Sequence, residues 1–267
     1  MDENLQQVNP FLERILYKLE KAEKNQSGKT GSNTTYRNST LAEYGLDNMH
    51  CDICDDSGTI TRTDENGCQW SRPCECMKQR LSIRRINGSG LQDLVKRYSF
   101  DSYETPSEKH KQVKTKAKEF TIVPVECFVI VGRSGSGKTH ICTAICNDLM
   151  AAGWNLKYMI WRTEAAELKA MITEREEYKR RINQLRNVPV LYIDDFWKGT
   201  VSDADINLAF TILNDRYNSS GKKTIISTER SMGEIIGIDE AIGGRLAERA
   251  RGFVLQAPDE NWRTKDR

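Results

Sequence analysis

An α/β fold on a parallel sheet is predicted for the second half of this chain, with a small cysteine-rich module ahead of it. Three observations predict this. Apolar runs of strand length alternate with helical stretches, as in a sheet covered on both faces. Residues Gly132 to Thr139 read Gly-Arg-Ser-Gly-Ser-Gly-Lys-Thr between an apolar run and a periodic helical segment. Four cysteines fall in two close pairs upstream.

Taken in order, the chain opens with Asn9-Pro10, an N-cap and first-turn pair, before Phe11, Leu12, Ile15, Leu16 and Leu19 form one apolar stripe. An amphipathic helix is expected over residues 1–24. Residues 25–48 are rich in Asn, Ser, Thr and Gly and have little to bury, so they read as a polar linker. Residues 49–98 form the cysteine module and 99–267 the nucleotide domain. Lys109 to Lys118 is a charged helical approach to that domain. Its strands are expected at Phe128–Val131, Tyr158–Ile160, Val190–Ile193, Thr224–Ile226 and Phe253–Leu255, five in all.

Length and charge bound the function. The 267 residues suffice for a nucleotide domain and a smaller module. Lys and Arg total 40 against 38 acids, so the global balance gives no reason for nonspecific nucleic-acid binding, and any such contact must be local. No apolar run is long enough to cross a bilayer and Met1-Asp2-Glu3 lacks a signal-peptide pattern, so a cytoplasmic protein with no membrane contact is expected. The 8 cysteines then point to metal ligation in a reducing compartment rather than to disulfides.

Cys51 and Cys54, spaced Cys-x-x-Cys, and Cys74 and Cys76, spaced Cys-x-Cys, supply four thiolates for tetrahedral zinc, with His50 and Cys68 as substitutes. So short and polar a segment has little core, so Zn2+ would supply much of its folding free energy. A redox pair or unligated thiols is the alternative. Cys127, Cys142 and Cys146 lie in the predicted strand and helix, where buried thiols are ordinary core.

The Gly132–Thr139 loop is a phosphate cradle. Gly132, Gly135 and Gly137, with Ser134 and Ser136 between them, let backbone N–H groups curl round a polyphosphate at a helix N-terminus, Lys138 reaches the terminal phosphates and Thr139 can ligate Mg2+. The expected ligand is ATP or GTP. Val190-Leu191-Tyr192-Ile193-Asp194-Asp195 is an apolar strand ending in two carboxylates, where Asp194 would serve the Mg2+ shell and Asp195 would polarise the attacking water. Asp reaches less far than the Glu many ATPases use, so slow turnover is expected. Thr224-Ile225-Ile226-Ser227-Thr228-Glu229 ends in three candidates for a phosphate sensor. Arg245, Arg249 and Arg251 share a predicted helix, and Arg245 reads either as an exposed basic residue or as an arginine finger at a subunit boundary.

The ordered motifs resemble the DnaC/DnaI-type replicative helicase loaders, a branch of the AAA+ ATPases related to the DnaA initiators and IstB transposition helpers. The resemblance spans Cys-Asp-Ile-Cys-Asp-Asp-Ser-Gly, Pro-Cys-Glu-Cys-Met-Lys, Tyr98-Ser-Phe-Asp-Ser-Tyr103, the loop through His140, Tyr-Ile-Asp-Asp-Phe196, Asn214-Asp-Arg-Tyr217, Ile-Ile-Ser-Thr-Glu229 and Gly-Arg-Leu-Ala-Glu-Arg249. It implies an AAA+ domain with a five-stranded parallel sheet behind a zinc module that grips a hexameric replicative helicase. It also implies an ATPase domain that self-associates and touches single-stranded DNA, in a protein encoded by a phage or prophage. It casts Arg245 as the finger, Arg263 as a second sensor, and His140 and Thr228 as further nucleotide contacts. Glu229 stands where many relatives carry Asn, which leaves the sensor open among Ser227, Thr228 and Glu229. Rival readings are an IstB-like transposition helper and a zinc-containing adaptor that binds ATP without turnover.

Two basic clusters remain. Lys179, Arg180, Arg181 and Arg186 fall where such loaders bear DNA-contacting helices, but Glu174, Glu176 and Glu177 beside them equally fit a solvated, salt-bridged helix. Lys78, Arg80, Arg84, Arg85, Lys96 and Arg97 could meet DNA or an acidic partner.

Overall fold

The computed structural model describes residues 51–55, 57–63 and 67–264. The helix expected from Asn9, the linker at 25–48 and His50 lie outside the described residues. The chain divides into two units, Met1–Asn87 and Gly88–Arg267.

The first unit is built on the antiparallel hairpin β1 (Thr59–Thr63) and β2 (Gln69–Pro73), followed by α1 (Cys76–Ser89). Nearly every hairpin residue is exposed, so almost no apolar surface is buried there to offset chain entropy.

The second unit contains α2 (Gln92–Val95), α3 (Glu108–Ile122), β3 (Cys127–Val131), α4 (Lys138–Ala151), β4 (Leu156–Ile160), α5 (Trp161–Ala170), α6 (Arg175–Asn187), β5 (Val190–Asp194), α7 (Asp203–Tyr217), β6 (Lys223–Thr228), α8 (Met232–Ile238), α9 (Glu240–Ala250) and β7 (Val254–Gln256). Each of the five expected strands is present, and they form one parallel sheet in the order β4-β5-β6-β3-β7. The unit begins before residue 99 because Leu91, Val95 and Phe100 are buried and Asn147 of α4 donates to the Tyr98 carbonyl at 2.7 Å. The segment 88–98, expected in the cysteine module, therefore belongs with the sheet.

Local chemistry fixes the elements. β3, β5 and β6 are buried along their whole length, which explains their continuous Val and Ile runs. Ser202 with Asp205 and Ser231 with Glu234 form capping boxes that start α7 and α8, and the Asp239 side chain accepts from the Ile242 amide to start α9. α9 stops where Arg251 and Gly252 turn left-handed. One face of the sheet buries Leu168, Leu185, Phe196, Trp197, Ile212 and Ile235 around β5 and β6. Two basic side chains are also buried, each with several acceptors. Arg216 donates to the carbonyls of Val188 and Lys223 at 2.7 Å, and Lys223 Nζ reaches those of Phe120, Val123 and Val125 at 2.8 to 3.1 Å.

Candidate functional site

Parallel strands present their carboxyl ends on one edge, and a crevice opens there where the connections leave to either side of β3. The loop 132–137 leaves β3 at this edge and ends in α4. Asp194 closes β5, Thr228 closes β6, and the segment after β7 folds back over the loop. Its backbone does so directly: Ala257 donates to Val131 at 2.7 Å, and Trp262 donates to Gly135 at 2.9 Å. The crevice encloses about 900 Å³ and is lined by Tyr98, Tyr103, Ser134, Gly135, Gly137, Lys138, Thr139, His140, Asp195, Lys198, Trp262 and Arg263, among others.

The loop fits a polyphosphate. Gly135 and Gly137 adopt φ of 81° and 83°, a conformation that strains other residues, and a Cβ on Gly135 would sit 2.0 Å from Asn261 Oδ1. The Ser136 hydroxyl is buried without a hydrogen-bond partner. Lys138 is only 5% exposed and its ammonium donates to the carbonyls of Gly132 and Arg133, each at 2.8 Å. Burial lowers its pKa, the direction expected of a cation waiting for an anion.

At the cation position Thr139 Oγ1 donates to Asp194 Oδ2 at 3.2 Å, so the two residues expected to serve Mg2+ are neighbours. Tyr158 donates to the same oxygen at 3.1 Å, and Ser227 Oγ donates to Asp194 Oδ1. Three hydroxyls thus orient one carboxylate. Asp195, at φ 53°, takes its backbone N–H to Ser227 Oγ at 3.1 Å. Its own carboxylate pairs with Lys198 Nζ at 3.2 Å, and Lys198 also pairs with Glu229 at 2.8 Å. Glu229, and after it Asp195, hold the Lys198 ammonium above its ordinary pKa.

The other expected residues divide. Arg263 donates to Ser134 Oγ at 3.2 Å on the crevice wall. His140 also lines the crevice, but its Nε2 lies 3.0 Å from the Ser99 carbonyl and its ring sits 4.7 Å from that of Tyr98. Thr228 is buried, and its hydroxyl donates to the Phe196 carbonyl at 2.9 Å and accepts from the Arg230 amide at 3.1 Å. Of the three sensor candidates, Ser227 touches Asp194, Glu229 touches Lys198, and Thr228 touches backbone. Arg245 is on α9, outside the crevice, with its guanidinium carbon 5.0 Å from the Phe210 ring and 5.4 Å from that of Tyr217.

Sequence reasoning missed Tyr158 and Lys198. Tyr158 reads as strand core, although a phenol near a strand's carboxyl end is a cheap donor to an adjacent carboxylate. Lys198 follows Asp195 by three residues, a spacing that could have flagged an ion pair.

The basic run on α6 is paired. Arg181 holds Glu164 and Glu167, Arg180 holds Glu177, Lys179 holds Glu176 and Arg186 holds Asp215. This is the salt-bridged helix, with its field largely cancelled.

In the first unit, the hairpin register sets Thr59 opposite Pro73, so the residues before β1 meet those after β2, and Cys74 N–H donates to the Gly58 carbonyl at 2.9 Å. That pairing assembles the cysteines. Cys51 Sγ lies 3.8 Å from Cys74 Sγ, Cys54 Sγ lies 3.5 Å from Cys76 Sγ, and all four sulfurs fall within 4.8 Å of one another. A tetrahedron with metal–sulfur bonds of 2.3 Å has edges of about 3.8 Å, so the set fits zinc. Burial, and then the Cys54 and Cys74 sulfurs, push the Cys76 thiol up to about 12, whereas at Cys51 burial is outweighed by hydrogen bonds from the Ile53 and Cys54 backbone, which bring the thiol down to about 7, so a bound cation would be needed to favour the thiolate at Cys76. Cys68 is exposed and outside the cluster.

Comparisons with known proteins agree with this architecture. The profile of the IstB-like ATP binding protein family matches residues 76–249. The chain belongs to that family. This IstB-like chain is 28% identical over 217 residues to the uncharacterized protein YqaM of Bacillus subtilis, covering 72% of this chain but 66% of YqaM. It is 24% identical to the phage-like element PBSX protein XkdC of the same organism, over 80% of this chain and 84% of XkdC. It is 29% identical to the replicative helicase loader DnaC of Escherichia coli, over 63% of this chain and 69% of DnaC. Among solved structures, the DnaC helicase loader superposes with a TM-score of 0.55 at 22% identity, covering 62% of this chain and 99% of that one. DnaI superposes with a TM-score of 0.55 at 17% identity, covering 67% and 99%. The fold is therefore the AAA+ fold of these proteins, and family membership makes ATP the nucleotide expected in the crevice. Among the described residues no helix is long and apolar enough to cross a membrane.

Proposed function

We propose that this protein is an ATP-dependent loader that delivers a hexameric replicative DNA helicase onto single-stranded DNA, acting in the cytoplasm and encoded by a phage or prophage. The observation that carries the reading is the convergence of Lys138, Thr139, Asp195 and Arg263 on one crevice, in a chain similar to DnaC over 175 residues. The similarity to XkdC supports the prophage origin.

In this reading the loop amides and Lys138 hold the phosphates of ATP, while Thr139 and Asp194 serve the magnesium shell. Bound Mg2+ would neutralise charge on the phosphates during transfer to water. Asp195 orients and deprotonates the attacking water, for which it must leave Lys198. Arg263 reports on the nucleotide from the crevice wall. Arg245, outside its own crevice, serves as the finger for a neighbouring copy, so turnover depends on self-association. ATP binding then favours assembly and hydrolysis releases the helicase. The four-cysteine unit, holding zinc, grips the helicase, and the expected division at 1–24, 25–48, 49–98 and 99–267 is kept with the last boundary moved to 87/88.

An IstB-like transposition helper shares the nucleotide core, and the family match supports that second reading. Affinity capture from host lysate separates the two. Recovery of a ring-forming helicase, dependent on an intact cysteine cluster, is expected; recovery of a transposase without the helicase would overturn the loader. An ATP-binding adaptor is excluded when phosphate release rises on assembly with single-stranded DNA.

A further inference from the structure

We propose that the β1–β2 hairpin of the cysteine unit carries a binding face for single-stranded DNA, formed by Arg62, Trp70 and Arg72. The register decides which side chains share a face. Arg62 is opposite Trp70 and Ile60 is opposite Arg72, so these four project from one side of the ribbon. Thr59, Thr61 and Thr63, with Gln69, Ser71 and Pro73 across from them, project from the other. One face is therefore cationic and aromatic, and the other is neutral and polar.

Trp70 is 45% exposed and both arginines are exposed. Among the described residues neither arginine makes a hydrogen bond or ion pair.

The chemistry selects the occupant. Arg62 and Arg72 are diagonal neighbours across the ribbon, a relation that sets residues roughly 7–8 Å apart, with the indole beside them. Single-stranded nucleic acid needs a cationic track for phosphates next to a ring on which a base can stack. A protein partner would instead need a desolvated apolar centre, and Trp70 and Ile60 are the only apolar groups on this face. The paired arginines of α6 lack this freedom, which makes the hairpin the better-supplied surface. This face would give the loader proposed above its contact with single-stranded DNA, and it uses no residue that lines the nucleotide crevice.

The test is fluorescence anisotropy of the full, zinc-loaded chain with labelled oligo-dT, across a salt series and in both the wild-type and Lys138→Ala backgrounds. The joint substitution Arg62→Ala and Arg72→Ala is expected to weaken binding at least tenfold and to reduce the slope of log affinity against log salt by about 1.4, the share of two single-strand phosphates. Trp70→Ala is expected to weaken binding at least fivefold, with Trp70→Phe restoring most of it. Thr61→Ala with Ser71→Ala, on the opposite face, is expected to change nothing, and retained zinc stoichiometry shows that each variant keeps its fold. The Lys138→Ala background separates this outcome from failure of the ATPase reading. Unchanged affinity and slope in the arginine variant would overturn the proposal. So would equal loss from the opposite face, tighter binding to a duplex of the same length, or loss of capture of an acidic protein with DNA binding untouched.

Discussion

The two units solve the same problem, placing a few polar groups to within an ångström, by opposite means. In the ATPase unit an apolar sheet comes first, and the carboxyl ends of β3, β5 and β6 deliver the loop, Asp194 and Ser227 to one edge. Asp194 keeps its orientation through hydroxyls from three elements, all anchored in buried structure. In the cysteine unit the strands are exposed, and the four sulfurs are the point where the ends of the hairpin meet. A site laid on a core tolerates loss of its ligand. A site that replaces a core does not.

That contrast is broken most severely by removing a thiolate. Cys54→Ser or Cys76→Ser, or a strong chelator, is expected to unfold residues 51–87 while the thermal transition of the ATPase unit stays in place. Hydrogen exchange measured along the chain checks this, and protection retained in the hairpin after complete metal removal would refute it. Next in size, Asp195→Asn is expected to keep ATP affinity and lower turnover by about a hundredfold or more, measured as single-turnover phosphate release. Arg245→Ala is expected to lower turnover to a similar degree, but only at protein concentrations where copies assemble.

Smaller effects sharpen the comparison. Lys198 holds Asp195 and Glu229 through half-exposed ion pairs, each worth about 0.5–1 kcal/mol. Lys198→Ala is thus expected to raise basal turnover by about two- to fivefold, and a fall in turnover would show that Lys198 acts on the nucleotide instead. Smallest of all, Arg180→Ala with Arg181→Ala is expected to leave the salt slope of DNA binding nearly unchanged, because both arginines already have carboxylate partners. A drop as large as that expected from the hairpin would return α6 to the DNA interface.

How far the sequence was legible follows the same division. The five strands could be read because buried parallel strands have no polar face, and Val190–Ile193 or Thr224–Ile226 admit little else. The loop could be read because its glycines, Lys138 and Thr139 are contiguous. The hairpin could not: of Thr59–Thr63 and Gln69–Pro73 only Ile60 is even partly buried, so no alternation marks them, and only their β-favouring threonines and the glycine between them hint at a turn. The sequence sets the start of the ATPase unit too late because Val95 belongs to a helix of only four residues, with Leu91 at its N-cap, too short to show a period. Tyr158 escapes a sequence reading because its partner Asp194 is distant in the chain and meets it only through strand order; Lys198 has one such distant partner, Glu229, and one only three residues away, Asp195, that the spacing offers.

The central claim is that Lys138 and Asp194 act on one magnesium-bound ATP. Calorimetric titration of the folded full chain with ATP and Mg2+ tests it most directly. A saturable exothermic binding isotherm is expected, weakened about a hundredfold or more in Lys138→Ala and made insensitive to magnesium in Asp194→Ala. Absence of any binding heat at millimolar ATP, with the fold intact, would contradict it.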